Sequence, residues 1–258
     1  MATFLETVVD RTRKDLEARK NSLSEAALDA TVDGPRRERP FSEALIAEGI
    51  SLIAEMKRAS PSRGPIRPGA DVAEIVSTYE ASGARAASIL TEPHWFGGAL
   101  EDLAAARAAC RLPLLRKDFI VERYQLLEAR KAGADAVLLI VAALDHDDLQ
   151  RLLTEAGDLG MDALVEVHDE EDLEVAIGCG AEVIGINNRD LKKLEVDVET
   201  TYRLLADIPA GTVVVAESGI VHRDQVRDLQ DAGVDAILVG EAIMGAEDPA
   251  LAIETLMG

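Results

Sequence analysis

The sequence predicts an α/β fold, a parallel (β/α)8 barrel that carries an N-terminal helical extension. Three observations predict it. Eight short apolar runs recur along 258 residues, their starts 21 to 35 residues apart. Amphipathic stretches at helical spacing alternate with them, as parallel strands need because each crossover must return the chain to the same edge. One phrase also repeats in modified form: AGADAVLLI at 132–140, CGAEVIGI at 179–186 and AGVDAILVG at 232–240, the mark of a duplicated βα unit.

The eight runs are Ser51–Arg58, Ala86–Thr91, Pro113–Phe119, Ala136–Ala143, Asp162–His168, Val183–Asn188, Thr212–Gly219 and Ala236–Gly240. Most are apolar on both faces, as strands covered on both sides must be. Between them, Asp71 with Glu74 three residues on reads as a capping box opening a helix to Ala81. Asp145 precedes Leu149, Leu152 and Leu153; Asp169 precedes Leu173, Val175, Ala176 and Ile177; His222–Asp231 carries Val226 and Leu229. Gly83, Gly133, Gly180 and Gly233 each fall where a left-handed residue would end a helix. Residues 1–47 precede the first run and hold two helical stretches, Phe4–Arg19 and Phe41–Glu48, without a core of their own. They are expected to pack on the barrel, so that residues 1–258 form one domain, the size such barrels have. A doubly wound open sheet is the alternative, since alternation does not distinguish an open sheet from a closed one.

Composition excludes several classes. The chain carries 27 Lys+Arg against 48 Asp+Glu, a formal net charge of −21. A surface of that sign repels nucleic acid and anionic membranes. The longest apolar run, Ala136–Leu144, is too short to span a bilayer, and the charged stretch Met1–Lys20 does not read as a signal peptide, so a cytoplasmic place is expected. Cys110 and Cys179 lack metal or redox spacing and read as two buried thiols. No pair among His94, His146, His168 and His222 has metal-ligand spacing.

In a barrel the carboxyl ends of the strands form the active face. Ionisable residues gather there. Glu55 and Lys57 alternate with Ala54 and Met56, so both point to one side, into the barrel. Lys117 ends the third run, Glu166 lies between Val165 and Val167, Asn187 and Arg189 stand two apart, and Glu217 ends the seventh. Each follows apolar residues, where a lone charge is costly to bury, so several converging charges point to a catalytic constellation. Any one of them alone could be a rim salt bridge. Gly219 and Gly240 end the last two runs ahead of helical starts. Such a pair lets backbone N–H groups approach an anion, at the loops where barrels often place a phosphate; as lone turn residues they would mean less.

IAEMKRASPSRG, LLRKDFIVERYQLLEARKAGADAVLLI, LVEVHDEEDLEVAIGCGAEVIGINNRDL, VVAESGI and ILVGEAIM, in this order, resemble the indole-3-glycerol phosphate synthase family, and ILTEPHWFGGALEDL resembles its second strand-end loop. The likeness runs from about Phe41 to the C-terminus. It implies closure of the indole ring from 1-(2-carboxyphenylamino)-1-deoxyribulose 5-phosphate, giving indole-3-glycerol phosphate, carbon dioxide and water, with no cofactor or metal. By position it implies Lys117 as general acid and Glu166 as second acid/base group. Lys57 would hold the substrate carboxylate, Glu55 and Glu217 would position the lysines, and Asn187 would hydrogen-bond Glu166 or substrate. For phosphate it gives Ser60, Arg189, Ser218, Gly219, Gly240 and Glu241, and for the anthranilate slot Phe96, Phe119, Leu138 and Leu191. Two expectations carry physical content. Lys117, placed among cations and apolar walls, should have a lowered pKa. Glu241 stands where some members have serine, and should present only its backbone N–H to the phosphate. The role of Trp95 stays open between rim, core and ligand contact. Another phosphate-binding barrel, such as a phosphoribosyl-anthranilate isomerase, is the second reading, and a non-catalytic scaffold the third. The only partner expected is the small phosphorylated substrate, with a monomer as the working expectation.

Overall fold

The computed structural model describes residues 3–32, 34, 39–190 and 195–258. Among them eight parallel strands close into a barrel: β1 (Ser51–Met56), β2 (Ala86–Leu90), β3 (Leu114–Lys117), β4 (Ala136–Ile140), β5 (Asp162–Val167), β6 (Val183–Asn187), β7 (Val213–Glu217) and β8 (Ala236–Val239). Each pairs with its sequence neighbours, and β8 returns to β1 with Ala236 opposite Ser51. Closure removes the open-sheet alternative. Every strand stops one to three residues short of its apolar run. Those last residues leave the ladder and turn into the mouth of the barrel.

The extension holds α1 (Phe4–Ser22), α2 (Glu25–Asp29) and α3 (Phe41–Leu45). The short α2 has no apolar period to reveal it; Ser24 opens it by accepting from Ala27 N–H. Leu5, Val8, Val9 and Leu16 of α1 and Phe41 and Leu45 of α3 join one apolar cluster with Ile53, Leu115, Leu164 and Val215 of the barrel interior. The extension therefore completes the barrel core. Asp162, at the start of β5, accepts from Ser42 N–H at 2.8 Å and its hydroxyl at 2.9 Å, which fixes α3 across the amino end. At the rim of the second loop, His94 meets Asp15 at 2.7 Å, and Trp95 packs edge-on to Phe4 with ring centroids 5.8 Å apart. Trp95 is thus a half-buried joint between extension and barrel.

The outer ring is α4 (Val72–Ala81), α5 (Leu100–Ala109), α6 (Arg123–Ala132), α7 (His146–Asp158), α8 (Glu170–Gly178), α9 (Glu199–Leu205), α10 (Arg223–Ala232), the single turn α11 (Glu241–Met244) and α12 (Pro249–Met257). Asp71, Asp145 and Asp169 each accept the backbone N–H three residues on, as N-caps do. At α4 this is half of the expected box, Asp71 accepting from the Glu74 N–H. The four expected helix-ending glycines have φ of 86°, 94°, 78° and 97°. Alternation along β3 shows how the strands divide their side chains: Leu114 joins the layer under the helices and Leu115 the barrel interior. Arg116 is then fully buried outside the barrel, donating to Gln125 O at 2.7 Å and Asp118 at 2.8 Å, while Lys117 turns inward. Cys110 is buried as expected; Cys179, at the end of α8, is only half-buried.

Candidate active site

A cleft of about 290 Å3 opens at the carboxyl end of the barrel. Among the described residues, every expected site residue lines it: Glu55, Lys57, Ser60, Phe96, Lys117, Phe119, Leu138, Glu166, Asn187, Arg189, Glu217, Ser218, Gly219, Gly240 and Glu241. Leu191 lies outside the described residues. The two lysines sit in separate carboxylate settings. Lys57 Nζ is 2.8 Å from Glu55. Lys117 Nζ donates to Glu166 at 3.0 Å and lies 3.2 Å from Glu217. Barrel closure thus brings carboxylates of β5 and β7 onto one ammonium of β3.

This overturns the expectation of a lowered Lys117 pKa. Burial does disfavour its charge, but Glu166, Glu217 and Glu55 outweigh it and hold the ammonium well above the usual lysine range. The two carboxylates are driven apart. Glu217 is pushed up to about 7 by burial and by its neighbours Glu166 and Glu55, against the pull of Lys117. Glu166 is also buried, yet Lys117 and His168 together hold it below the ordinary carboxylate range. One site therefore contains a fixed cation, a carboxylate that stays ionised and one that titrates near neutrality.

Two glycines make the packing possible. A Cβ at Gly185, on β6, would lie 2.3 Å from Glu217 Oε1, so this carboxylate rests on bare backbone. A Cβ at Gly240 would lie 2.5 Å from Glu55 Oε1. The Gly240 space, read from sequence as room for a ligand, is thus already used by Glu55. At the end of β7, Ser218 (φ 65°) and Gly219 (φ 80°) are successive left-handed residues, and Ser218 is the only non-glycine with positive φ among the described residues. Asn188 donates to Ser218 O and Gln225 to Gly219 O. In planar trans peptides this turns the N–H groups of Gly219 and Ile220 the opposite way. Helix α10 starts only at Arg223, so the turn itself, and not a helix end, presents these groups.

The family model for indole-3-glycerol phosphate synthase matches residues 5–256. The chain belongs to the indole-3-glycerol phosphate synthase family. An indole-3-glycerol phosphate synthase of a Nocardioides species is 49% identical over 259 residues, 99% of this chain and 98% of its own. Indole-3-glycerol phosphate synthase 2 of Streptomyces coelicolor is 45% identical, with all of both chains covered. Among solved structures, a thiamine phosphate pyrophosphorylase from Pyrococcus furiosus (TM-score 0.61, 22% identity, 80% of this chain and 93% of its own) is similar in fold. So is a 3-hexulose-6-phosphate synthase from Salmonella typhimurium (TM-score 0.64, 16% identity, 80% and 96%). At such identities the likeness is one of fold alone.

Set within the synthase family, the cleft adds details the sequence did not disclose. The Glu241 carboxylate does not turn away; it pairs with Arg63 at 2.8 Å and approaches Arg189 at 3.8 Å. Arg63 sits between the two-residue strands Ala59–Ser60 and Gly64–Pro65, which pair in the loop after β1. Only the SPSRG turn signal marks this feature in the sequence. Asn187 Oδ1 accepts from Arg189 N–H at 3.0 Å, so its carbonyl is committed to its own loop. Phe96 and Phe119 form a tilted pair 6.4 Å apart, with Leu138 in the same wall. Phe4 of α1 also lines the cleft, which ties the extension to the site. In the sequence His168 reads only as a histidine without metal spacing. Its position two residues beyond Glu166, on the same side of the strand, was the signal available.

Proposed function

We propose that Lys57, Lys117 and Glu166 carry the family's reaction in this chain, with the roles that follow. The reaction takes 1-(2-carboxyphenylamino)-1-deoxyribulose 5-phosphate to indole-3-glycerol phosphate, carbon dioxide and water. The observation that carries the assignment is Lys117 between Glu166 and Glu217, at 3.0 and 3.2 Å, in the mouth of the barrel. The ring carbon bearing the carboxylate attacks the ribulose carbonyl, a new carbon–carbon bond forms, and the carbonyl oxygen takes up charge. The Lys117 ammonium lies ready to give that oxygen a proton. Its raised pKa keeps the donor form filled, and a developing alkoxide is the stronger base, so the transfer runs downhill.

Lys57 binds the substrate carboxylate before the carbon–carboxyl bond breaks; loss of carbon dioxide returns its electron pair to the ring. The hydroxyl left by closure then departs as water: the Glu166 carboxylate takes a proton from the carbon beside the ring nitrogen and passes it to the leaving oxygen, and the carbon–oxygen bond breaks as the second double bond of the five-membered ring forms. Glu55 and Glu217 hold the lysines in place. At the other end, Ser60, Arg189 and the N–H groups after β7 and β8 face the phosphate, and Phe96, Phe119 and Leu138 flank the anthranilate ring. Two separate lysines suit a reaction in which holding a carboxylate and donating a proton are distinct tasks. A test is to follow indole absorbance and carbon dioxide release with this substrate for wild type and Lys117→Ala. Undiminished turnover in the variant removes Lys117 from its role. An isomerase would release no carbon dioxide.

A further inference from the structure

The carboxylate of Glu166 is held from both sides, and one holder has no part in the roles above. Glu166 Oε2 accepts from Lys117, while Oε1 lies 3.3 Å from His168 Nε2. The other ring nitrogen of His168, Nδ1, is 3.3 Å from Asp172 Oδ2. That same oxygen accepts the backbone N–H of His168 at 3.0 Å, and the backbone N–H of Asp172 donates to the cap residue Asp169. The first turn of α8 therefore clamps His168 by main chain and ring together. The side chain of His168 is 12% exposed and that of Glu166 2%. The Nε2 contact is one of charge rather than of an aligned hydrogen bond.

We propose that His168, backed by Asp172, is a positioning residue that fixes the Glu166 carboxylate for proton transfer. This rests on the role given to Glu166 above. Burial alone would strip the ring of its proton, but Asp172 and Glu166 reverse this and push His168 up to about 10, so it is a cation across neutral pH. Glu166 thus lies between two cations, Lys117 of β3 at one oxygen and His168 just beyond β5 at the other, and loss of either frees it to turn and to take a proton. Other charges bear on the ring. Asp169, Asp190, Glu195, Asp197 and Arg203 line a second pocket with it, beside the active-site cleft, and Lys117 and Glu217 act through Glu166. Among the described residues, Glu166 and Asp172 each lie 3.3 Å from a ring nitrogen.

The test measures kcat, KM and their pH profiles with the carboxyphenylamino substrate for Glu166→Gln, His168→Asn, Asp172→Asn and the double variant Glu166→Gln with His168→Asn. His168→Asn should lower kcat roughly ten- to a hundredfold, as loss of support for an acid/base group does, with KM changed less than about threefold. Its acidic limb should move to higher pH, because Glu166 loses a neighbouring cation. Added to Glu166→Gln, it should cost nothing further. Asp172→Asn keeps the ring and should lose activity on the alkaline side, where the ring now deprotonates; it decides the matter if His168→Asn does not fold. Wild-type kcat and pH profile in both His168→Asn and Asp172→Asn, or a His168→Asn loss that multiplies with that of Glu166→Gln, overturns the proposal. Wild-type kcat in Glu166→Gln instead overturns the role of Glu166 itself.

Discussion

Replacing Gly185 by alanine tests the carboxylate arrangement without touching an ionisable group. The added Cβ would stand 2.3 Å from Glu217 Oε1 and 3.1 Å from Leu164 Cδ1. Ordinary contact needs about 3.4 Å, so Glu217 must retreat by ~1 Å, since a strand backbone yields less readily than a side chain. Its other oxygen is 3.2 Å from Lys117, so a displacement of that size disturbs the contact. A misplacement of ~1 Å costs on the order of a hundredfold in kcat. Overpacking costs about 1–3 kcal/mol of stability, or roughly 2–4 °C in Tm for each kcal/mol in a chain of this size. Steady-state kinetics on indole formation, together with a thermal melt, reads both. Gly178→Ala, where nothing lies within 4 Å of the new Cβ, is the control. A Gly185→Ala enzyme within twofold of wild-type kcat would show that the Glu217–Lys117 contact does not matter.

Lys117→Ala should lower kcat by roughly 10²–10⁴, the range for loss of a positioned general acid, as read by turnover under saturating substrate. Lys57→Ala should act mainly on binding: losing a charged hydrogen bond worth about 1.5–3 kcal/mol raises KM roughly ten- to a hundredfold, and a kcat effect without a KM effect would contradict its role. Glu241→Gln should release Arg63 and Arg189 toward the phosphate and lower KM about two- to fivefold, the scale of a partly exposed charge pair; a rise in KM would mean the carboxylate supports the site. Stability should also follow the charge on His168. A folded pKa of about 10 against an ordinary 6.5 means its contribution is complete below 6.5 and is lost as pH rises through about 10. Tm of the wild type should therefore fall more steeply across that window than Tm of His168→Asn, and parallel curves would contradict the assignment.

Much of this was legible in the chain. A period of two places Glu55 with Lys57 and Asn187 with Arg189 on one side of their strands. Alternation also sends Arg116 and Lys117 opposite ways, one to Asp118 and Gln125 outside the barrel and the other into the cleft. Glycines that end helices reveal themselves because only a residue without Cβ enters the left-handed region at little cost. The loop that carries Arg63 and the single turn α2 are too short to leave a period.

The order of the eight barrel strands, the family, and which side chains point toward the barrel axis can be read from the chain alone. Backbone geometry sets these locally, residue by residue. What each side chain meets there follows from how strands distant in the chain are brought together. Lys117 and Glu166 are 49 residues apart, and nothing local indicates that three carboxylates would surround this lysine and raise its pKa instead of lowering it. The register at which eight strands close sets those distances. So too, a net charge of −21 describes the whole surface, whereas the site depends on two lysines and Arg189, which closure gathers at one end.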